Sequence, residues 1–297
     1  MEAVMKKVYK TAKLIEKAMD VIFLVCGLLT ILFVILITIF LLISGVPAIK
    51  SIGLPDFLFG KIWASTAAEP SYGILPFILT SVYGTCGAIL IGVPVGLLCA
   101  IYLAKMAPKK VGGIVRNVVD LLAGIPSVVY GLVGMILIVP CVREIFGLPD
   151  GANLFSAILV LAVMILPSVI SVSETAIKAV PGEYEEASLA LGATKTETVF
   201  KVVVPAAKSG IVTAIVLGIG RAIGEAMAVM MVAGNVANMP ELFGSVRFLT
   251  TAVASEMSYS SGLQRQALFS IALVLFLFIM IINLILNVIV KKGEQND

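Results

Sequence analysis

The sequence predicts an all-α integral membrane protein with six transmembrane helices. Three observations carry that prediction. Of 297 residues, 60% are hydrophobic and only 13% are charged, whereas soluble domains run at roughly half and a quarter. Six apolar stretches, each long enough to cross a bilayer, alternate with polar segments. The basic residues also follow that alternation. Fifteen lie in segments placed in the cytoplasm, and five (Lys50, Lys61, Arg143, Arg247 and Arg265) lie outside, which puts both termini in the cytoplasm.

The elements follow in order. Residues 1–20 carry Lys6, Lys7, Lys10, Lys13 and Lys17, a basic flank that holds the N-terminus inside and reads as a solvated arm, though the spacing also allows an amphipathic surface helix. Val21 to Ile43 is the first span, and it lacks a small-residue processing site. Ser44 to Ser71 reads as a polar external loop with Pro47, Pro55, Pro70 and Trp63, the last as an interface anchor. The second span lies within Tyr72 to Ala104, with breaks expected near Pro76 and Pro94. Lys105, Lys109, Lys110 and Arg116 make the next loop cytoplasmic.

The third span is expected from about Val118 to Val139, before a short external loop with Arg143, and the fourth from Leu154 to Val172. A cytoplasmic loop leads to the fifth span, Gly210 to Gly234. Asn235 to Gly262 is external. Within it, Gly244 to Ser258 is too short and polar to cross and suits a re-entrant or interfacial helix. Ala267 to Val290 is the sixth span.

The loop after the fourth span is patterned as folded structure. Pro181 suits a first helical turn, and Glu183, Glu185 and Glu186 complement a helix N-terminus. Ala187, Ala190 and Leu191 form a small apolar stripe, and Gly192 suits a left-handed cap. Thr194 with Glu197 is a capping-box signature, and Pro205 ends or kinks the second helix. Two short helices meeting at a glycine make a compact knob that another protein can approach closely.

Composition excludes several functions. The chain has no histidine, and Cys26, Cys86, Cys99 and Cys141 lack metal-ligand spacing. An enzyme would have to work with Ser127, Tyr130 and Glu225 alone. The net charge of +3 follows membrane topology and forms no nucleic-acid face.

Chemistry concentrates in two spans. Arg221 falls near the middle of the fifth, where an insertion cost of roughly 3 kcal/mol per charge calls for a reason. On a continuous helix Arg221 and Glu225, four apart, share a face and can pair. Such a pair either pins two helices together or forms an anion site, in which the guanidinium binds an oxyanion and Glu225 orients it. Gly218, Gly220 and Gly224 keep that face slim. In the third span Pro126 displaces the Leu122 carbonyl. This gives either a plain kink or a cavity-lining break, with Ser127 and Tyr130 as donors beside a half-helix N-terminus.

Glu186-Ala187-Ser188, three residues, Gly192, nine residues and Val202-x-Val204-Pro205 resemble the EAA loop of bacterial ABC importer permeases. Ser188 stands where that family has a second alanine, and Val202 and Val204 stand where it has Ile and Leu. The resemblance implies a type I ABC importer permease fold with cytoplasmic coupling helices. Glu186, Ala187, Ser188, Gly192 and Pro205 would then couple the chain to an ATPase, within a coupling loop spanning residues 174–208.

GIPSVVYG (124–131), GRAIGEAMAVMMVAGN (220–235) and SGLQRQALFSIALVLF (261–276) are similar to the phosphate-import permeases of the PstC type. That match runs from about residue 72 to the C-terminus, so residues 1–71 (arm, first span, external loop) are set apart from a permease core at 72–297. The resemblance implies a phosphate path that involves Arg221, Glu225, Pro126, Ser127 and Tyr130. It implies four kinds of partner: a PstA-like permease, a PstB-like ATPase dimer, a PstS-like external phosphate-binding protein and the membrane. It also implies a place in the bacterial cytoplasmic (inner) membrane. No Walker phosphate loop occurs, so ATP and Mg belong on the partner ATPase and the chain itself binds no cofactor. Sulfate and molybdate permeases carry a phenylalanine where this chain has Ala226, which leaves another oxyanion as an alternative. A gradient-driven secondary transporter is the other rival, though it has no need of the docking knob.

Overall fold

The computed structural model describes residues 2–294. Helix α1, Glu2–Ile52, runs unbroken for 51 residues, about 77 Å at the α-helical rise. The expected external loop at Ser44 therefore begins as helix, and Pro47 sits inside it. Packing explains the extension. Gly45 lies so close to the last helix that an added Cβ would sit 3.0 Å from the Phe269 carbonyl oxygen. Ser270 Oγ donates to the Gly45 carbonyl at 2.6 Å, and Phe40 meets Phe269 edge-on at 5.4 Å.

Helix α2 (Leu54–Phe59) follows Gly53. A small antiparallel hairpin then pairs β1 (Trp63–Ala64) with β2 (Ser71–Tyr72), in the register Trp63↔Tyr72. Trp63 is no interface anchor: it is buried among Phe57, Tyr72, Phe77 and Leu249, and its indole N–H donates to Glu256 at 3.2 Å. Helix α3, Leu75–Ile101, contains both predicted break points. Pro76 starts the helix, where its missing N–H costs nothing, and Pro94 lies within it without ending it. A π-helical turn, Tyr102–Met106, closes this span.

Helix α4, Lys109–Gly124, ends before Pro126, and α5, Ser127–Val133, starts after it. A π turn (Gly134–Ile138) and α6 (Val139–Phe146) complete the third span as Ser127–Phe146. It therefore starts about nine residues later than Val118, and Arg143 lies in its last turn and not in a loop. Helix α7, Leu154–Lys178, is the fourth span. It is the central helix, packed by α3 and by the helices that follow. Gly92 and Gly96 of α3 let the side chains of Ile165 and Val169 seat against the backbone.

Helices α8 (Gly182–Ala190) and α9 (Lys195–Thr198) form the knob. A π turn, Val199–Val203, and α10, Val204–Ala206, lead through a 70° bend into α11, Lys208–Gly224. The bend falls just beyond Pro205. The fifth span is not one helix: α11 stops at Gly224, Glu225 is extended at φ −73°, ψ 131°, and α12 covers only Met227–Val232. Helix α13, Leu249–Glu256, is the short helix expected in the external segment, with Leu249 to Ala252 buried. Helix α14, Gly262–Glu294, is the last. Five described helices are long and apolar enough to cross a membrane, or six if the bent pair that ends in α11 is counted as one span.

Candidate functional site

The two broken spans face each other. Gly131 of α5 lies against α12, so that a Cβ there would come 2.8 Å from Ala228 Cα. At Gly134 a Cβ would reach 2.9 Å from Val232 and 2.7 Å from Val160 of α7. Missing side chains thus let α5 touch the backbone of α12, and the Pro126 break comes beside the Glu225 break. Tyr130, Leu122, Ile125, Ala222 and Ala228 share one core there.

The first break satisfies its own backbone. Helix α4 stops at Gly124, and the Tyr130 hydroxyl donates to the Leu122 carbonyl at 2.7 Å. That oxygen is the one the proline displaces. Tyr130, expected as a free donor, therefore has a structural bond already. The Ser127 hydroxyl has no hydrogen-bond partner among the described residues and is half-buried.

Arg221 and Glu225 do not pair. The extended backbone at Glu225 takes it off the α11 face that would have brought the two together. Helix ends stabilise each charge separately instead. Arg221 lies in the last turn of α11, where the dipole favours a cation. Glu225 Oε1 accepts the Ala228 N–H at 2.9 Å, which caps the start of α12. Arg221 is half-buried and has no ion pair or hydrogen bond among the described residues. Gly218 packs on Val169 of α7, whereas Gly220 and Gly224 border open space. Only Gly218 serves helix packing; the other two leave room beside Arg221.

The knob matches its sequence pattern closely. Gly192 has φ +89° and nothing within 4 Å of an added Cβ, so its backbone alone requires glycine. Thr194 and Glu197 form the capping box, with the Thr194 N–H donating to Glu197 at 3.1 Å. Pro181 stands one place earlier than expected, as N-cap of α8. Glu186, Ala187 and Pro205 are exposed. Ser188 and Thr198 share a hydrogen bond of 2.9 Å that ties α8 to α9, a contact an alanine could not make.

Several contacts around the knob had no sequence signal strong enough to find them. Lys105, at the end of the second span, pairs with Glu185 of α8 at 2.7 Å and anchors the knob. Glu174 of α7 is buried and receives both Arg116 of α4 and Lys178. Spacing could have offered only the Glu174–Lys178 pair, four residues apart. The others join residues remote in sequence. Among the described residues no cluster could hold a metal ion.

Residues 92–294 match the family model described as "Binding-protein-dependent transport system inner membrane component". The chain is 39% identical over 267 residues to the probable ABC transporter permease protein YqgH of Bacillus subtilis, covering 87% of this chain and 86% of that one. It is 34% identical over 287 residues to the phosphate transport system permease protein PstC of Pasteurella multocida, covering 88% and 90%. Among solved structures, a bacterial alginate ABC transporter aligns with TM-score 0.62 at 16% identity, covering 93% of this chain and 95% of that one. The inward-facing MetNI methionine ABC transporter aligns with TM-score 0.60 at 22% identity, covering 74% and 95%.

Proposed function

Because the chain belongs to the family of binding-protein-dependent transport system inner membrane components, we propose that it forms half of the translocation pathway of an ATP-driven phosphate importer. It is a multi-pass permease subunit and not an enzyme. The substrate reading is supported by its PstC relatives. One observation carries it in the molecule: half-buried Arg221, unpaired among the described residues, at the meeting of two broken spans. An unpaired cation at membrane depth is unfavourable by about 3 kcal/mol, and a phosphate oxyanion would offset that cost through charge-assisted bonds. Glu225, Ser127 and Pro126 line the same junction, and Tyr130 holds its wall.

The partners follow from the same reading. A PstA-like permease supplies the other half of the path, and a PstB-like pair hydrolyses ATP with Mg against the knob around Ala187 and Gly192. A PstS-like protein delivers phosphate outside. Both termini lie in the cytoplasm.

The test is uptake of labelled phosphate into proteoliposomes that hold the assembled complex. Uptake should require ATP and should resist excess sulfate or molybdate. Arg221→Lys keeps the charge but loses the planar fork, and should lower uptake by about tenfold at an unchanged amount of complex, the effect of one misfitted charged contact. Uptake driven by an ion gradient without ATP, or sulfate uptake in place of phosphate, would refute the reading.

A further inference from the structure

Beyond its second break the chain doubles back and grips both ends of α12. Thr250 Oγ1 donates to the Glu225 carbonyl at 2.7 Å, ahead of the helix. Arg247 donates to the Asn235 carbonyl from Nε at 3.0 Å and Nη2 at 2.8 Å, behind it. The Val246 N–H donates to the Ala233 carbonyl at 2.9 Å. All three donors fall within five consecutive residues, so one short strap holds the whole half-helix. The Glu225 carbonyl needs such a donor, because the extended backbone takes it out of the helical ladder.

The strap is fastened to the outer surface. The other terminal nitrogen of Arg247 pairs with Glu256. The same carboxylate accepts from Trp63 Nε1 at 3.2 Å, Ser65 Oγ at 3.3 Å and Gln264 Nε2 at 3.1 Å. Arg247 and Glu256 are only 16% and 20% exposed, so these charge-assisted bonds form a stiff network. A displacement of the outer hairpin thus reaches Arg247 through Glu256, and the backbone of Glu225 through the three peptide units that join Arg247 to Thr250.

We propose that Thr250 and Arg247 are positioning residues for transport, which hold Glu225 and α12 in register. Glu256 ties that strap to the external hairpin, so events on the outer face reach the pathway. The inference rests on the reading that the Glu225 break lines the phosphate path.

The experiment measures phosphate transported per ATP hydrolysed in proteoliposomes that hold the whole complex with its external binding protein. Thr250→Val removes the hydroxyl at constant shape and should lower that ratio by about fivefold, the factor one neutral hydrogen bond is worth. Thr250→Ser should restore it. A loss of folded complex lowers both activities together and leaves the ratio alone. An unchanged ratio in Thr250→Val, with normal uptake by the unmodified complex, overturns the strap alone. Absence of phosphate uptake by the unmodified complex overturns the functional reading and the strap with it. Should Thr250→Val yield no complex, Glu256→Gln is read by the same ratio, with a fall supporting the proposal and no change overturning it.

Discussion

Arg221 and Glu225 show how one backbone dihedral changes the meaning of a sequence pattern. Four residues apart on a helix they would neutralise each other, and removing one would strand the other. With Glu225 extended, Arg221 ends one helix and Glu225 caps the next. Their contributions should then be independent. A double-mutant cycle with Arg221→Met and Glu225→Gln, scored on the amount of assembled complex, should give a coupling energy within about 0.5 kcal/mol of zero. Phosphate uptake should fail in both the double variant and Arg221→Met. Restored uptake in the double variant would show that the two form a structural pair.

At the scale of elements, the knob is the part most completely set by local chemistry. Its glycine hinge, capping box and proline bend are all read from short spacings, and its outer face stays exposed. Because nothing crowds a Cβ at Gly192, a substitution there acts through the backbone alone. Gly192→Val forces a β-branched residue to φ +89°, at a cost of about 1–2 kcal/mol, and should turn α8 against α9. The permease should still insert, while ATPase co-purification weakens and uptake is lost. Full uptake by this variant, measured beside a pull-down of the ATPase, would remove the coupling role from the knob.

At the scale of the molecule, the layout divides into a buried centre and exposed apolar flanks. Helix α7 is surrounded by protein, whereas α1 lies on α14 and leaves most of its apolar surface exposed. The six-span reading places the β1–β2 hairpin outside and the knob inside. Trp63 is buried, so a label at the hairpin belongs on exposed Ala67. In a background without the four native cysteines, Ala67→Cys should react with a membrane-impermeant thiol reagent on intact cells. Lys195→Cys should react only after the cells are opened. Reaction of both from outside would break the six-span topology.

The sequence by itself determined the membrane class, the number of spans and the knob. Each is a local property: hydropathy over about 20 residues, or capping and turn chemistry within a few positions. Tertiary structure alone decided where the spans break and which groups meet there. Glu225 is held extended by Thr250, 25 positions away, and Trp63 is drawn inward by Glu256, 193 positions away. Helix α1 continues past Ser44 because Gly45 packs on α14. In each case a local preference was overruled: for helix at Glu225, for the interface at Trp63 and for a loop after Ser44. A buried polar group must find a partner wherever the chain supplies one, and hydropathy or spacing along the chain does not encode where that partner will be.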